Sequence, residues 1–510
     1  MGDLPIRLQL GAWQIPAGRE ASMLGESEFR FLNRTHKLPA YGGWNNTALE
    51  KLWLYNLHYF NDLNAQNAPA RAGEHLQLIE RWISENPPAV GIGWEPYPVS
   101  LRIVNWVKWL AAGSIAPKGM TSSLVLQAGW LAGRLELHLL GNHLFANAKA
   151  LVFAGLYFEG PQASKWLATG LNIISKEITE QVLADGGNFE RSPMYHAVFL
   201  EDVLDLINAA NCWPGLVPEA QLAFWHQTTV RMLNWLRGMT HPDGEIALFN
   251  DAAFGIAPMF AELMAYADRV GVGLSSDFVD AKVIQFADSG YVRMQSPYAV
   301  ALLDVAPIGP DYLPGHAHAD TLSFELSVFD QRVVVNGGTS RYGMGPDRLM
   351  ERGTSAHSTV EVAGANSSEV WSGFRVARRA YPFDLEVQSD SGYVACSHNG
   401  YTRLPGAPVH RRAWQMDKDC FQVRDSVHGG KHEALSRFIL HPAIQAVAVN
   451  TNIWQLKLAG GQRLRLVVQA GQGRIEPARY SPEFGKQLQT QSLVIELAAG
   501  VANVTFSWIK

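Results

Sequence analysis

Four stretches of this chain carry side chains able to move protons or hold anions, at spacings that helix or strand periodicity does not demand. The densest is Gly315-His316-Ala317-His318-Ala319-Asp320, which runs into an apolar segment. If a strand starts at His316, period-two alternation puts His316, His318 and Asp320 on one face. Three titratable groups on one face suit a metal site or a general base supported by neighbours. Hydrogen-bonded surface histidines are the plain alternative. The second stretch runs from Asp185 through two glycines and Glu190 to Tyr195 and His196. Ser192-Pro193 places a capping hydroxyl before a proline at the first helical position. Tyr195 and His196 then fall in the first turn, where the helix dipole eases formation of a tyrosinate. A tyrosine packed on an apolar face is the competing account. The third is Gly141-Asn142-His143, with Asn147 one turn on. Asn142 reads as an N-cap, and His143 beside it suits an anion at a helix start. The fourth, Arg348 to Arg352 and on to His357, suits bidentate capture of a carboxylate or serves as an ordinary surface loop.

The elements that must position these groups change character along the chain. From about residue 45 to 280 apolar residues recur at helical spacing, as in 75–86, 100–112, 122–140, 144–158 and 194–209. Helices of this length in succession predict stacked hairpins, as in a toroid or solenoid. After about residue 283 the period becomes two, in 290–294, 298–304, 322–329, 332–336, 358–362, 463–469, 492–497 and 502–509. Asp330 and Gln331 are expected to form the turn between two of these. A helical half followed by a strand half predicts segregated domains, 1–282 and 283–510, with no βαβ units.

Composition narrows the class. The 510 residues are 47% hydrophobic and 17% charged, which excludes a disordered chain. With 42 basic and 47 acidic residues the net charge is -5, so no basic excess points to nucleic acid. The three cysteines are too few and too scattered for a disulfide framework or a CxxC knuckle. No apolar run of about 18 residues predicts membrane insertion. The first residues lack a secretion signal, which leads to an expected cytoplasmic location. Sixteen Trp, 15 Tyr and 22 Phe suit a large core, and also stacking on sugar rings. No P-loop, dinucleotide fingerprint, GxSxG or HExxH motif occurs.

Taken together, Gly141-Asn142-His143 with Asn147, the segment from Asp185 to His196, His316 to Asp320, and Ala356-His357-Ser358 resemble the heparinase II/III-like polysaccharide lyases. The resemblance spans both halves of the chain. It implies an N-terminal incomplete (α/α) toroid followed by a C-terminal antiparallel β-sandwich. Segments 52–60 and 94–102 look like relatives linked to surface polysaccharides. The implied reaction is β-elimination on a uronic acid in an acidic polysaccharide. Tyr195 matches the catalytic tyrosine and His316 the catalytic histidine, while Asn142 and His143 are placed to neutralise the sugar carboxylate. His196, Asn147, Arg348, Arg352 and Trp94 are the expected substrate-binding residues.

No cofactor is required for the elimination. The resemblance implies a structural zinc held by His318, His357 and an acidic residue. Asn336 stands in the acidic position, and a neutral amide is a poor zinc ligand, so water or a hydrogen-bonded cluster is the expected substitute. The family also implies the periplasm or cell envelope, against the cytoplasm read from the N-terminus. Two other functions compete. One is glycoside hydrolysis by Glu190 and Asp185. The other is non-catalytic binding or assembly of glycans.

Overall fold

The computed structural model describes residues 4–273 and 281–508. The chain starts Met1–Asp3 and the last residue of the strand expected over 502–509 lie outside them. Two compact units result, neither continuous in sequence. The first is Met1–Val182, Val198–Val230 and Ala261–Leu274; the second is Leu183–Ala197, Arg231–Phe260 and Ser275–Lys510. Helices dominate up to Arg269 and antiparallel strands from Val283 onward, as the change of period predicts.

In the first unit, helix Gly141–Tyr157 is buried on all sides from Leu144 onward, as its near-absence of polar residues requires. It packs closely on helix Pro161–Gln181 because glycines stand at the contact. A Cβ at Gly155 would meet Leu167 N at 2.6 Å, and one at Gly170 would meet Ala148 O at 2.7 Å. The helix expected over 122–140 stops at Ala132, where Gly133 follows and the apolar pattern gives way. Trp82 lies within 6.4 Å, ring to ring, of Phe60, Trp94 and Trp106. Much of the aromatic excess is therefore core. A buried charge cluster joins Lys108 and Lys149 to Asp205 at 2.9 and 2.6 Å.

In the second unit, two antiparallel sheets of eight and nine strands face each other. Trp414, Phe421 and Phe506 of one sheet share a core with Leu303, Phe324, Phe438 and Leu493 of the other. This is a sandwich. Strands Val409–Met416 and Val501–Trp508 alternate strictly in burial. Ala299–Asp304 and Phe324–Val328 are buried on both faces, because Trp235, Met239 and Phe249 cover Val300 and Leu302. The turn before Gln331–Val335 is Phe329-Asp330, both at positive φ (51° and 60°), one residue earlier than expected. That geometry belongs to a tight two-residue hairpin.

Candidate active site

Tyr195 is fixed by the chain that precedes it. Asp185 accepts bonds from Gly187 N (2.9 Å), Ser289 N (2.7 Å) and Ser289 Oγ (2.9 Å). Between them Gly186 sits at φ 91°, and a Cβ there would lie 2.3 Å from Arg231 O. No other residue fits. Arg191 follows at φ 58°, and its carbonyl accepts from Tyr291 Oη at 2.7 Å and Asn250 Nδ2 at 2.9 Å. Helix Pro193–Cys212 then starts as expected. Ser192 Oγ accepts from Tyr195 N at 3.2 Å and donates to Asp251 O at 2.6 Å.

Around Tyr195 the second unit assembles three reactive side chains, His316, Tyr342 and Glu190. His316 stacks on its ring, with centroids 4.0 Å apart and planes at 16°. The Tyr342 and Tyr195 hydroxyls are 2.8 Å apart. Glu190 bonds His316 Nδ1. Among the described residues no side chain bonds His316 Nε2, so that nitrogen is left for a ligand. Burial, and then the neighbouring Tyr342 and Asp251, push the Tyr195 phenol well above its ordinary value, so it holds its proton. Burial lowers His316, but Glu190 outweighs it and keeps the imidazole above the usual histidine value. The arrangement supplies a held phenol and a nitrogen of raised basicity side by side. Tyr342 carried no motif signal in the sequence. It sits in a loop between strand Gln331–Val335 and helix Pro346–Arg352, and only the fold brings it here.

Behind this group lies a second, fully buried one. Asp251 accepts from His318 Nε2 at 2.7 Å and from Arg348 through both terminal nitrogens, Nη2 at 2.7 Å. Burial opposes ionisation of Asp251, yet Arg348 and His318 hold its carboxyl far below the usual range. Burial brings His318 down to about 4, so it is neutral at pH 7. His318 Nδ1 meets His357 Nε2 at 3.3 Å.

The expected strand at His316 is absent: 316–323 is loop, and the strand starts at Phe324. The three groups therefore do not share a pleated face. His316 faces Tyr195, His318 faces Asp251, and Asp320 is buried, accepting from Asn250 N at 3.0 Å. Burial raises Asp320 to about 7.

All five residues expected to bind substrate, Trp94, Asn147, His196, Arg348 and Arg352, are buried. Arg348 and Arg352 are buried, their guanidiniums taken by Asp251 and by the carbonyls of Gly373 and Ala317. They brace the loops and have no donors left facing outward. His196 is buried between Asn188 N and Met232 O, and burial lowers it to about 3. Asn147 is buried on Ser100 and Glu136, and Trp94 is core, donating to Asn86 O. In the first unit, helix Gly141–Tyr157 takes Leu140 as its N-cap, so Asn142 lies inside the first turn and does not cap it. His143 bonds Glu136 at 3.0 Å and packs against Tyr97, ring centroids 4.5 Å apart and planes tilted by 37°.

The donor set does not suit zinc. His318 and His357 offer two nitrogens, but the Asn336 amide is engaged by Ser323 Oγ and Ser358 N at 3.4 and 3.3 Å. The acidic residue on the neighbouring strand, Glu325, is held by His241 and Arg332. Among the described residues no three His, Cys, Asp or Glu side chains gather as a metal set.

The chain matches two family models, "Heparinase II/III N-terminus" over 62–268 and "Heparinase II/III-like, C-terminal" over 279–508. A heparin-sulfate lyase of Bacteroides stercoris is 25% identical over 371 residues, covering 67% of this chain and 53% of its own length. One of Pedobacter heparinus is 26% identical over 331 residues, covering 58% and 48%. The chain thus spans about half the length of the curated relatives it matches. Among solved structures, a heparinase III superposes with a TM-score of 0.72 at 19% identity, covering 92% of this chain and 79% of that one. A heparan sulfate lyase mutant from Pedobacter heparinus gives 0.62 at 19% identity, covering 95% and 82%. These likenesses establish the fold. With both models matched in order across the helical and strand regions, the chain belongs to the heparinase II/III-like family.

Proposed function

We propose that this protein is a polysaccharide lyase that cleaves uronate-containing polymers by β-elimination. The observation that carries the proposal is the stack of Tyr195 on a His316 held by Glu190, with Tyr342 on the Tyr195 hydroxyl. In the step itself, His316 Nε2 takes the proton from C5 of the uronate. The electron pair forms the C4–C5 double bond, the C4–O4 bond breaks, and Tyr195 gives its proton to the departing O4. Glu190 steadies the imidazolium that forms, and Tyr342 hydrogen-bonds the transient phenolate. The two relatives described as heparin-sulfate lyases support sulfated glycosaminoglycans as the first polymers to test. The assignment of carboxylate neutralisation to Asn142 and His143 is a separate proposal resting on the family resemblance. An Asn142→Ala chain that turns over a uronate polymer unchanged refutes it.

Hydrolysis is less well served by the same residues. It needs one carboxylic acid and one carboxylate facing a sugar from two sides. Asp185 is consumed by Ser289 and Gly187, Glu190 by His316, and Asp251 by Arg348. The test is an absorbance screen for unsaturated uronates over heparan sulfate and other acidic polymers, with Tyr195→Phe alongside. The proposal expects product from the native chain and about 10²- to 10⁴-fold less from the variant, the usual worth of a proton-transfer group. Full activity in the variant refutes the role of Tyr195.

A further inference from the structure

A hollow of about 570 Å³ in the second unit is lined by Arg378, Arg379, Arg403, Asp311, Tyr381 and Asn399. Three guanidiniums face two carboxylates here, Asp311 in the lining and Glu369 beside it, which pairs with both Arg378 and Arg403; one excess positive charge is left, on a chain whose net charge is -5. Each arginine is oriented. Arg379 donates to Asp311 Oδ1 at 2.6 Å and to its carbonyl at 2.8 Å. Arg378 donates to Glu369 at 2.8 Å. Arg403 donates to the carbonyls of Ser367, Gly400 and Asn366. Tyr381, 43% exposed, gives Asp311 its hydroxyl at 3.1 Å. Stability does not explain this gathering, since ion pairs as exposed as Arg378–Glu369 contribute little.

The hollow borders the segments that carry the catalytic side chains. Asp311 and His316 belong to one loop, which at about 3.5 Å per residue keeps their Cα atoms within about 18 Å. Phe374, whose ring meets His316 at 6.3 Å, lies three residues before Ala377 of the lining. A single small anion would fill one place or the other, whereas a polymer with repeated negative charge would occupy both.

We infer that the hollow is a binding subsite for an anionic sugar residue of the same polymer, its sulfate or carboxylate gripped by Arg378 and Arg379 and its ring lying against Tyr381. Planar guanidinium forks suit both oxyanions, and an exposed aromatic ring suits a sugar face. The subsite rests on the lyase reading for its substrate class, but its occupancy does not depend on turnover.

The test uses the full-length chain. The double variant Arg378→Ala/Arg379→Ala is expected to raise KM about ten-fold with kcat nearly unchanged, the loss of about one charge-assisted contact. Asp311→Asn removes one of the two opposing charges and is expected to lower KM about two-fold, a direction that damage to the fold would not produce. Both effects shrink at high salt. Calorimetric titration of Tyr195→Phe, with and without the arginine substitutions, reads the same affinities without catalysis. Sulfated and desulfated uronate oligosaccharides separate the sources: an effect on the sulfated ligand alone assigns the subsite to sulfate, and an equal effect on both assigns it to carboxylate. Unchanged affinity for both ligands overturns the subsite. A native chain that forms no unsaturated product while the arginine variants still lose affinity overturns the lyase reading instead.

Discussion

Glu190→Gln keeps the shape of the side chain that bonds His316 Nδ1 and removes its charge. A hydrogen bond to a charged group contributes about 1.5–3 kcal/mol and a neutral one about 0.5–1.5 kcal/mol. The difference, about 1–1.5 kcal/mol, corresponds to roughly one pKa unit on the imidazole. In the native chain Glu190 outweighs burial and holds His316 above the ordinary histidine value of about 6.5. Without the charge, burial acts with far less opposition, and the imidazole falls. A base works only when neutral, so native kcat/KM must rise with pH through a value above 6.5. The variant's rise is expected about one unit or more lower, with a plateau kcat reduced by up to about ten-fold because a weaker base remains. The assay is initial-rate absorbance of unsaturated product across pH, with thermal unfolding of each variant as a check on folding. An acidic limb that stays in place, or moves upward, refutes His316 as the base.

Other expectations follow from the same side chains. Tyr342→Phe removes the 2.8 Å contact with Tyr195 and should lower kcat about 10- to 100-fold with KM little changed, read by steady-state kinetics. Arg348→Met leaves Asp251 buried without its guanidinium partner and should cost about 3–5 kcal/mol in denaturant unfolding. Gly186→Ala forces a Cβ to within 2.3 Å of Arg231 O at positive φ, and should destabilise the protein by about 2 kcal/mol or more. Asp251 is depressed in the folded state, so its stabilisation is present above the unfolded carboxylate value of about 3.9 and is lost as pH falls below it. Melting temperature against pH should drop there, and the drop should be smaller in Asp251→Asn.

What the sequence disclosed follows from how local each signal is. The Ser192-Pro193 start, the helix carrying Tyr195 and the shift to period two depend on neighbours within a few residues, and all appear in the fold. The His316 to Asp320 spacing misled, because the alternation assumed a strand where the chain forms a loop, turning His318 inward to Asp251. Arg348 and Arg352 read as surface groups because their partners, Asp251 and the Ala317 carbonyl, lie 97 and 35 residues away. Tyr342 was invisible for the same reason, standing 147 residues from the hydroxyl it meets. Glu190 was noticed, but as a hydrolytic acid; the structure shows it bonded to His316. Trp94 and Asn147 sit in packed surroundings that composition alone cannot distinguish from a sugar cleft.

The central claim is that this site eliminates and does not hydrolyse. Elimination adds no water, because the C4–O4 bond breaks as the C4–C5 double bond forms. The direct measurement is digestion of a defined uronate oligosaccharide in water enriched in heavy oxygen, followed by mass spectrometry of both fragments. The account predicts fragments whose masses sum to that of the substrate, with no heavy oxygen incorporated and an unsaturated uronate at the new non-reducing end. Fragments that together gain one molecule of water, with the heavy label in a new hydroxyl, would contradict it.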